Sequence, residues 1–263
     1  MDCGQGGDQH RQRTHRSTIL ETLSSLGNSY RDPPQKSSET LNRIHNSIVG
    51  AVERRALIWL VSRLPARVTP DALTAFGIFG AALTLIGYLL TATSPAFLWL
   101  ASFGLVCHWF GDSLDGTLAR YRRIERPRYG YFLDQTVDVI GNLLICLGMG
   151  LSAYVRLDVA LLALAGYHAL SIFSLVKACV SREFHISIVG FGPTEMRLLI
   201  IAMNVNIFVF GAPTWTIGPL TMTWCDLTLL LMAGGFFSVF VYLVIDYAGY
   251  LARDEKATIT TDG

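Results

Sequence analysis

Four aspartates interrupt an apolar stretch of this chain: Asp112 and Asp115, then Asp134 and Asp138, in the run DSLDGTLARYRRIERPRYGYFLDQTVD. Spacings of three and four put each pair on one face of a helix. A carboxylate in hydrocarbon costs roughly 3 kcal/mol even on the gentler insertion scales, so acids kept there point to a site. Clustered carboxylate oxygens are hard ligands, which suit Mg2+ or Mn2+ and not a soft metal. Gly116 and Gly130 flank the acids and leave room for a ligand against the backbone. Arg120 can neutralise a phosphate, with more positive charge from Arg122, Arg123, Arg126 and Arg128. For any single loop arginine, membrane topology alone accounts for the charge.

The elements that must carry these acids are membrane helices. Hydrophobic residues make up 51% of the 263 and charged residues only 16%, which is not the composition of a soluble domain. Residues 1–45 are polar and read as a disordered cytosolic tail without the apolar core of a secretory signal, so no cleavage is expected. Residues 46–66 read as an amphipathic helix lying in the membrane interface. Val49, Val52, Ala56, Trp59, Leu60 and Arg63 recur there at helical spacing, while Glu53, Arg54 and Arg55 mark a polar side. Residues 67–253 hold six crossings, near Asp71–Leu90, Ala96–Arg120, Tyr129–Tyr154, Val159–Val180, Met196–Phe210 and Asp226–Ala252. Residues 254–263 form a second cytosolic tail. The fold class expected is all-α: six transmembrane helices preceded by an interfacial helix.

Charge fixes the orientation. With the N-terminus in the cytosol, twenty of the 21 Lys and Arg fall on the inner side and only Arg156 outside. The protein is thus expected to be multi-pass, with both termini cytosolic. Counting from Ala96 at the outer surface, Asp112 lies about 24 Å down its helix at 1.5 Å per residue. The short Tyr121–Arg128 connection makes the second and third helices antiparallel neighbours, so both acid pairs meet just inside the cytoplasmic face.

The full pattern is Asp112-x2-Asp115-Gly116-x2-Ala119-Arg120-x9-Gly130-x3-Asp134-x3-Asp138. It resembles the signature of the CDP-alcohol phosphotransferase family, which includes the phosphatidyltransferases. The resemblance extends to the six-helix layout, the leading interfacial helix and the Val68–Thr74 entry to the first crossing, and leaves out the first 40 or so residues. It implies that Asp112, Asp115 and Asp134 hold two Mg2+ (or Mn2+) ions, with Asp138 completing the second. It also implies that Asp138 is the general base for the acceptor hydroxyl. Gly116, Ala119, Arg120 and Gly130 would line the cytidine diphosphate, joined by Pro70, Asp71 and Thr74. Where relatives often carry Ser or Thr before the second glycine, this chain has Arg126-Pro127-Arg128-Tyr129, which leaves that hydroxyl's contact open. Family members are often homodimers, so the resemblance implies a dimer.

Other polar residues have plainer readings. Arg197 in the fifth crossing is expected to contact the acceptor phosphate or headgroup, because basic residues in this part of related bundles line the acceptor pocket; Lys177 is a weaker candidate of the same kind. Glu195 fits first-turn placement at a helix N-terminus. His108 shares the aspartate face and reads as a hydrogen-bonded core histidine. Cys3, Cys107, Cys146, Cys179 and Cys225 show no paired spacing, so neither a disulfide framework nor a zinc site is expected.

These expectations combine into Mg2+-dependent transfer of a phosphatidyl or related phospho-alcohol group from a CDP-linked donor, with CDP-diacylglycerol favoured. The partners are that donor, a hydroxyl acceptor and the bilayer, with no nucleic acid. The near alternative is a CDP-choline or CDP-ethanolamine donor with diacylglycerol as acceptor. A membrane prenyltransferase also uses Asp-rich helices, but the Asp-Gly-x2-Ala-Arg core does not belong to that class. A catalytically silent membrane scaffold is the remaining rival.

Overall fold

The computed structural model describes residues 48–181, 192–217 and 220–261. The tail read at 1–45 and the 182–191 connection, which carries Arg182 and His185, lie outside the described residues. Helices run α1 Ile48–Val61, α2 Pro70–Leu90, α3 Phe97–Arg122, α4 Pro127–Leu151, α5 Leu157–Ser181, α6 Pro193–Phe210 and α7 Trp224–Thr261. Five of them (α2, α4, α5, α6 and α7) are long and apolar enough to cross a membrane. In α3, at 26 residues, Asp112, Asp115, Arg120 and Arg122 hold down the apolar character. The protein is an all-α membrane protein.

Two differences from the sequence reading concern α7 and the segment before it. The apolar pattern ends near Ala252, but α7 continues to Thr261, because no Gly or Pro follows Arg253 within it. The Pro213/Pro219 segment, which falls between the fifth and sixth expected crossings, holds two antiparallel strands, β1 Thr214–Ile217 and β2 Leu220–Thr223. Trp215 pairs with Met222 and Ile217 with Leu220. Alternating Thr with apolar residues suits a short strand pair.

The bundle is organised by the approach of α2 to α3. Leu73, Thr74, Gly77, Gly80, Ala81, Thr84, Gly87 and Tyr88 form the buried face of α2, and most of them are small. Gly104 and Gly111 answer from α3. A Cβ added at Gly104 would stand 2.6 Å from the Thr84 amide nitrogen, and one at Gly87 would stand 2.5 Å from that of Ala101. Lipid is as apolar as leucine, so helices in it associate through such close backbone packing rather than through a hydrophobic drive. Thr84 adds a hydrogen bond from its hydroxyl to the Ala101 carbonyl at 3.3 Å. The contacts ascend α2 as they descend α3, so the two are antiparallel, with Gly77 beside Gly111 and Asp112. Further along the same pair, Tyr88 donates to Asn204 of α6 at 2.8 Å, and Asn204 donates to Ser102 at 3.0 Å.

Around α1 the face assignment needs correcting. Val61, with Leu57, Leu60 and Leu64, packs on Leu73, Leu114 and Leu118, while Ile58 and Trp59 are exposed. Glu53 points inward to Trp109 and Thr194, and so does not lie on the polar side with Arg54 and Arg55. Its spacing of four from Leu57 and eight from Val61 puts it on the packed face.

Gly104→Leu is expected to cost at least about 3 kcal/mol through overpacking of the α2–α3 contact. Gly234→Ala, where an added Cβ meets nothing within 4 Å, should be neutral or stabilising by up to about 1 kcal/mol. Thermal denaturation in detergent, followed by size-exclusion fluorescence, separates the two. Equal melting temperatures for both variants would contradict the packing account.

Candidate active site

Three of the four aspartates converge. Asp112 comes from α3, and Asp134 and Asp138 lie one turn apart on α4. Each offers an oxygen within 4.8 Å of the other two, and all three are half-buried. Asp115 stands beside the trio, not within it. Its Oδ2 accepts from the Thr74 hydroxyl at 2.6 Å and its Oδ1 from the Gly116 amide at 2.5 Å. Those donors orient its carboxylate along a narrow cleft shared with Asp112, Asp134 and His108.

Such a cluster is electrostatically loaded. Two carboxylates about 4.8 Å apart repel by roughly 3.5 kcal/mol at an effective dielectric near 20. Arg197, 7% exposed, answers part of this by pairing with Asp112 Oδ2 at 2.6 Å. A divalent cation would turn the repulsion among the acids into attraction. The donors are all carboxylate oxygens, which fits Mg2+ or Mn2+.

His108 supports the guanidinium. Its Nδ1 lies 3.0 Å from the Gly77 carbonyl, an obligate acceptor, and so carries the proton. Nε2 is left as an acceptor, 3.4 Å from Arg197 Nη2. The ring sits over Gly141, where a Cβ would stand 2.8 Å from Cε1. The reading of His108 as a hydrogen-bonded core residue agrees with this, and the structure adds its contact to Arg197.

Several residues expected to touch substrate have partners within the chain. Thr74, expected at the nucleotide, is buried and donates to Asp115 and to the Pro70 carbonyl. Asp71 pairs with Arg126, both half-exposed. Arg197, expected on the acceptor phosphate, is held by Asp112. Arg122, grouped with the phosphate-attracting arginines, grips the linker between α1 and α2, donating to the carbonyls of Leu64 (3.3 Å), Pro65 (2.9 Å), Ala66 (3.3 Å) and Val68 (2.5 Å).

Arg120 and the two glycines behave differently. Arg120 is exposed and has a 3.4 Å bond from Nη2 to the Thr117 hydroxyl on its own helix. A Cβ at Gly116 would only touch the Arg120 guanidinium at 3.4 Å, and one at Gly130 would meet nothing within 4 Å. The bundle's own packing therefore does not require either glycine, in contrast to Gly104 and Gly87. Ala119 is half-buried on the same stretch of α3. Glu195 accepts from the Gly192 amide at 2.9 Å and caps α6, as its first-turn position indicated.

Behind Arg197 lies an open-mouthed chamber between α4, α5, α6 and α7. Met149, Met203, Met232 and Phe236 are among its mostly apolar walls, and Asn142, Tyr167 and Arg197 supply its polar atoms. No sequence pattern marks this chamber, because its lining is spread over four helices at no shared spacing.

A helical membrane bundle with hard oxygen ligands gathered on two adjacent helices defines a class of metal-assisted membrane enzyme. Residues 67–232 match the sequence profile of the CDP-alcohol phosphatidyltransferases, and the chain belongs to that family. It is 30% identical over 155 residues to the archaetidylinositol phosphate synthase of Pyrococcus horikoshii, covering 54% of this chain and 81% of the relative. It is also 30% identical over 176 residues to the phosphatidylinositol phosphate synthase of Cutibacterium acnes, covering 63% of this chain and 81% of the relative. The protein is therefore a CDP-alcohol phosphotransferase of phospholipid biosynthesis, from a family that uses divalent metal.

Arg197→Gln should destabilise the metal-free protein by about 2 kcal/mol, less than for a fully buried pair because the Asp112 side chain keeps 20% of its surface. Saturating Mg2+ should recover more of the melting temperature in the variant than in the parent protein. An equal loss with and without Mg2+ would contradict the role of Arg197 as counter-charge to the acids.

Proposed function

We propose that this enzyme transfers a phosphatidyl group from CDP-diacylglycerol to a hydroxyl acceptor and releases CMP, with Mg2+ held by the acid cluster. The observation that carries the reading is the convergence of Asp112, Asp134 and Asp138 within 4.8 Å, in a chain of this family. Asp112, Asp134 and Asp138, with Asp115 at their side, would hold two ions. The ions would neutralise the pyrophosphate and make CMP a better leaving group.

The rest falls to the chain's own side chains. Asp138 takes the proton of the acceptor hydroxyl as its oxygen bonds to phosphorus and the phosphorus–oxygen bond to CMP breaks. Thr74 keeps Asp115 aimed into the cleft. Gly116, Ala119 and Gly130 leave backbone open to the cytidine diphosphate, and Arg120 meets its phosphate charge. Pro70 and Asp71 join them, with Asp71 exchanging Arg126 for the nucleotide. With ions held by the acids, Arg197 would be released from Asp112 and could meet the acceptor.

The chamber behind Arg197 offers the apolar environment a diacylglycerol moiety needs. The same walls would suit diacylglycerol as acceptor for CDP-choline or CDP-ethanolamine, which keeps that second reading in view. Both relatives are named for inositol phosphate lipids, which makes inositol phosphate the first acceptor to assay. Six crossings, with the cleft and both termini on the cytosolic side, follow from the distribution of Lys and Arg. Dimerisation is carried over from the family alone.

Purified enzyme in lipid nanodiscs, given each CDP donor with labelled inositol phosphate, other alcohols or diacylglycerol, is expected to release CMP with CDP-diacylglycerol. Asp138→Asn should lower turnover by at least about a thousandfold, as the loss of a positioned base with its metal ligand implies, while still binding CDP. Unchanged CMP release from that variant would exclude the assignment.

A further inference from the structure

We infer that Glu53, on the interfacial helix, is a positioning residue that sets α3 and α6 against each other so that Asp112 and Arg197 stand in register. The inference rests on the metal-site reading above and extends it to an element outside the cleft. One oxygen, Glu53 Oε1, accepts from Trp109 Nε1 at 2.9 Å and from the Thr194 hydroxyl at 2.9 Å. Trp109 stands three residues before Asp112, and Thr194 three before Arg197. Each is about one helical turn from a member of the 2.6 Å Asp112–Arg197 pair.

Glu53 is a buried-face acid on a helix whose neighbouring positions, Arg54 and Arg55, are exposed. A carboxylate is kept on the packed side of an interfacial helix only where donors meet it. Here the donors come from two different helices and share a single oxygen, so the bond geometry fixes both partners at once. Leu57, Leu60, Val61 and Leu64 seat α1 on α2 and α3 but make no contact of this kind with α6. The Glu53 carboxylate therefore supplies what apolar packing does not: a directional link from α1 to α6.

The chemistry predicts a graded series. Glu53→Gln retains an oxygen acceptor in the same place. Glu53→Ala removes it. Trp109→Phe and Thr194→Val each remove one donor and leave the carboxylate. Mn2+ affinity, measured by electron paramagnetic resonance on purified protein, reads the geometry of the acids without depending on turnover. Glu53→Ala should weaken Mn2+ binding by about tenfold, as loss of a group that orients ligands does, and Glu53→Gln should stay within about threefold of the parent. Each donor variant should fall between them, and turnover at saturating Mn2+ should drop more than KM rises.

Parent-like Mn2+ affinity and turnover in Glu53→Ala would overturn the positioning role while leaving the metal-site reading intact. If Glu53→Ala does not fold, parent-like affinity in both Trp109→Phe and Thr194→Val overturns it equally. Absence of Mn2+ binding in the parent protein, or binding unaffected by Asp134→Asn, would defeat the metal-site reading itself and the inference with it.

Discussion

Mutual repulsion among half-buried carboxylates is the constraint around which this bundle is arranged. Acids within 4.8 Å of one another favour separation, so something must hold the helices that carry them. The hold comes from α2, which packs on α3 along a seam of glycines and on α4 where Gly148 meets Leu85 and Tyr88. It comes also from polar contacts at the level of the acids: Thr74 on Asp115, Arg197 on Asp112, His108 on the Gly77 carbonyl. The packing is apolar and unspecific in charge; the polar contacts decide where each oxygen points.

This division of labour explains why the helices read differently along their lengths. Toward Tyr88, Leu98 and Ile207 the interior is mainly apolar, with a buried hydrogen-bond chain through Asn204 and a buried Asp226 that accepts from the Arg156 and Thr223 amides. Toward Thr74 and Leu118 the same helices carry acids and arginines, with the short helix α1 laid against them. Burial at that end is partial, which leaves the acids half-exposed. Arg122 closes the corner by collecting the carbonyls of the Leu64–Val68 linker, which a turn in this position leaves without helical partners.

Much of this was legible in the chain, for physical reasons. Helix periods, the short connection between α3 and α4, and acids at spacings of three and four follow from local geometry alone, so the elements and the meeting of the two acid pairs could be anticipated, but not that Asp115 would stand beside the other three. What could not be read were partners chosen by three-dimensional packing. Thr74 and Asp71 sit at positions expected to meet substrate, yet their neighbours in the fold are Asp115 and Arg126. Arg197 was expected near the site, but its pairing with Asp112 depends on how α6 crosses α3. The charge of Glu53 points to the polar face, whereas its spacing in the Leu57, Val61, Leu64 series points to the packed face it occupies. The β1–β2 strand pair was hidden by the prolines around it.

The account stands on cations and nucleotide being bound as one unit by these acids. Calorimetric titration of CDP into purified protein, with 5 mM Mg2+ or with chelator (roughly the metal excess needed to saturate a weak carboxylate site), tests this most directly. The account predicts CDP affinity at least about tenfold tighter with Mg2+, and by linkage an equal tightening of metal by CDP. Equal CDP affinity in Mg2+ and in chelator would contradict it.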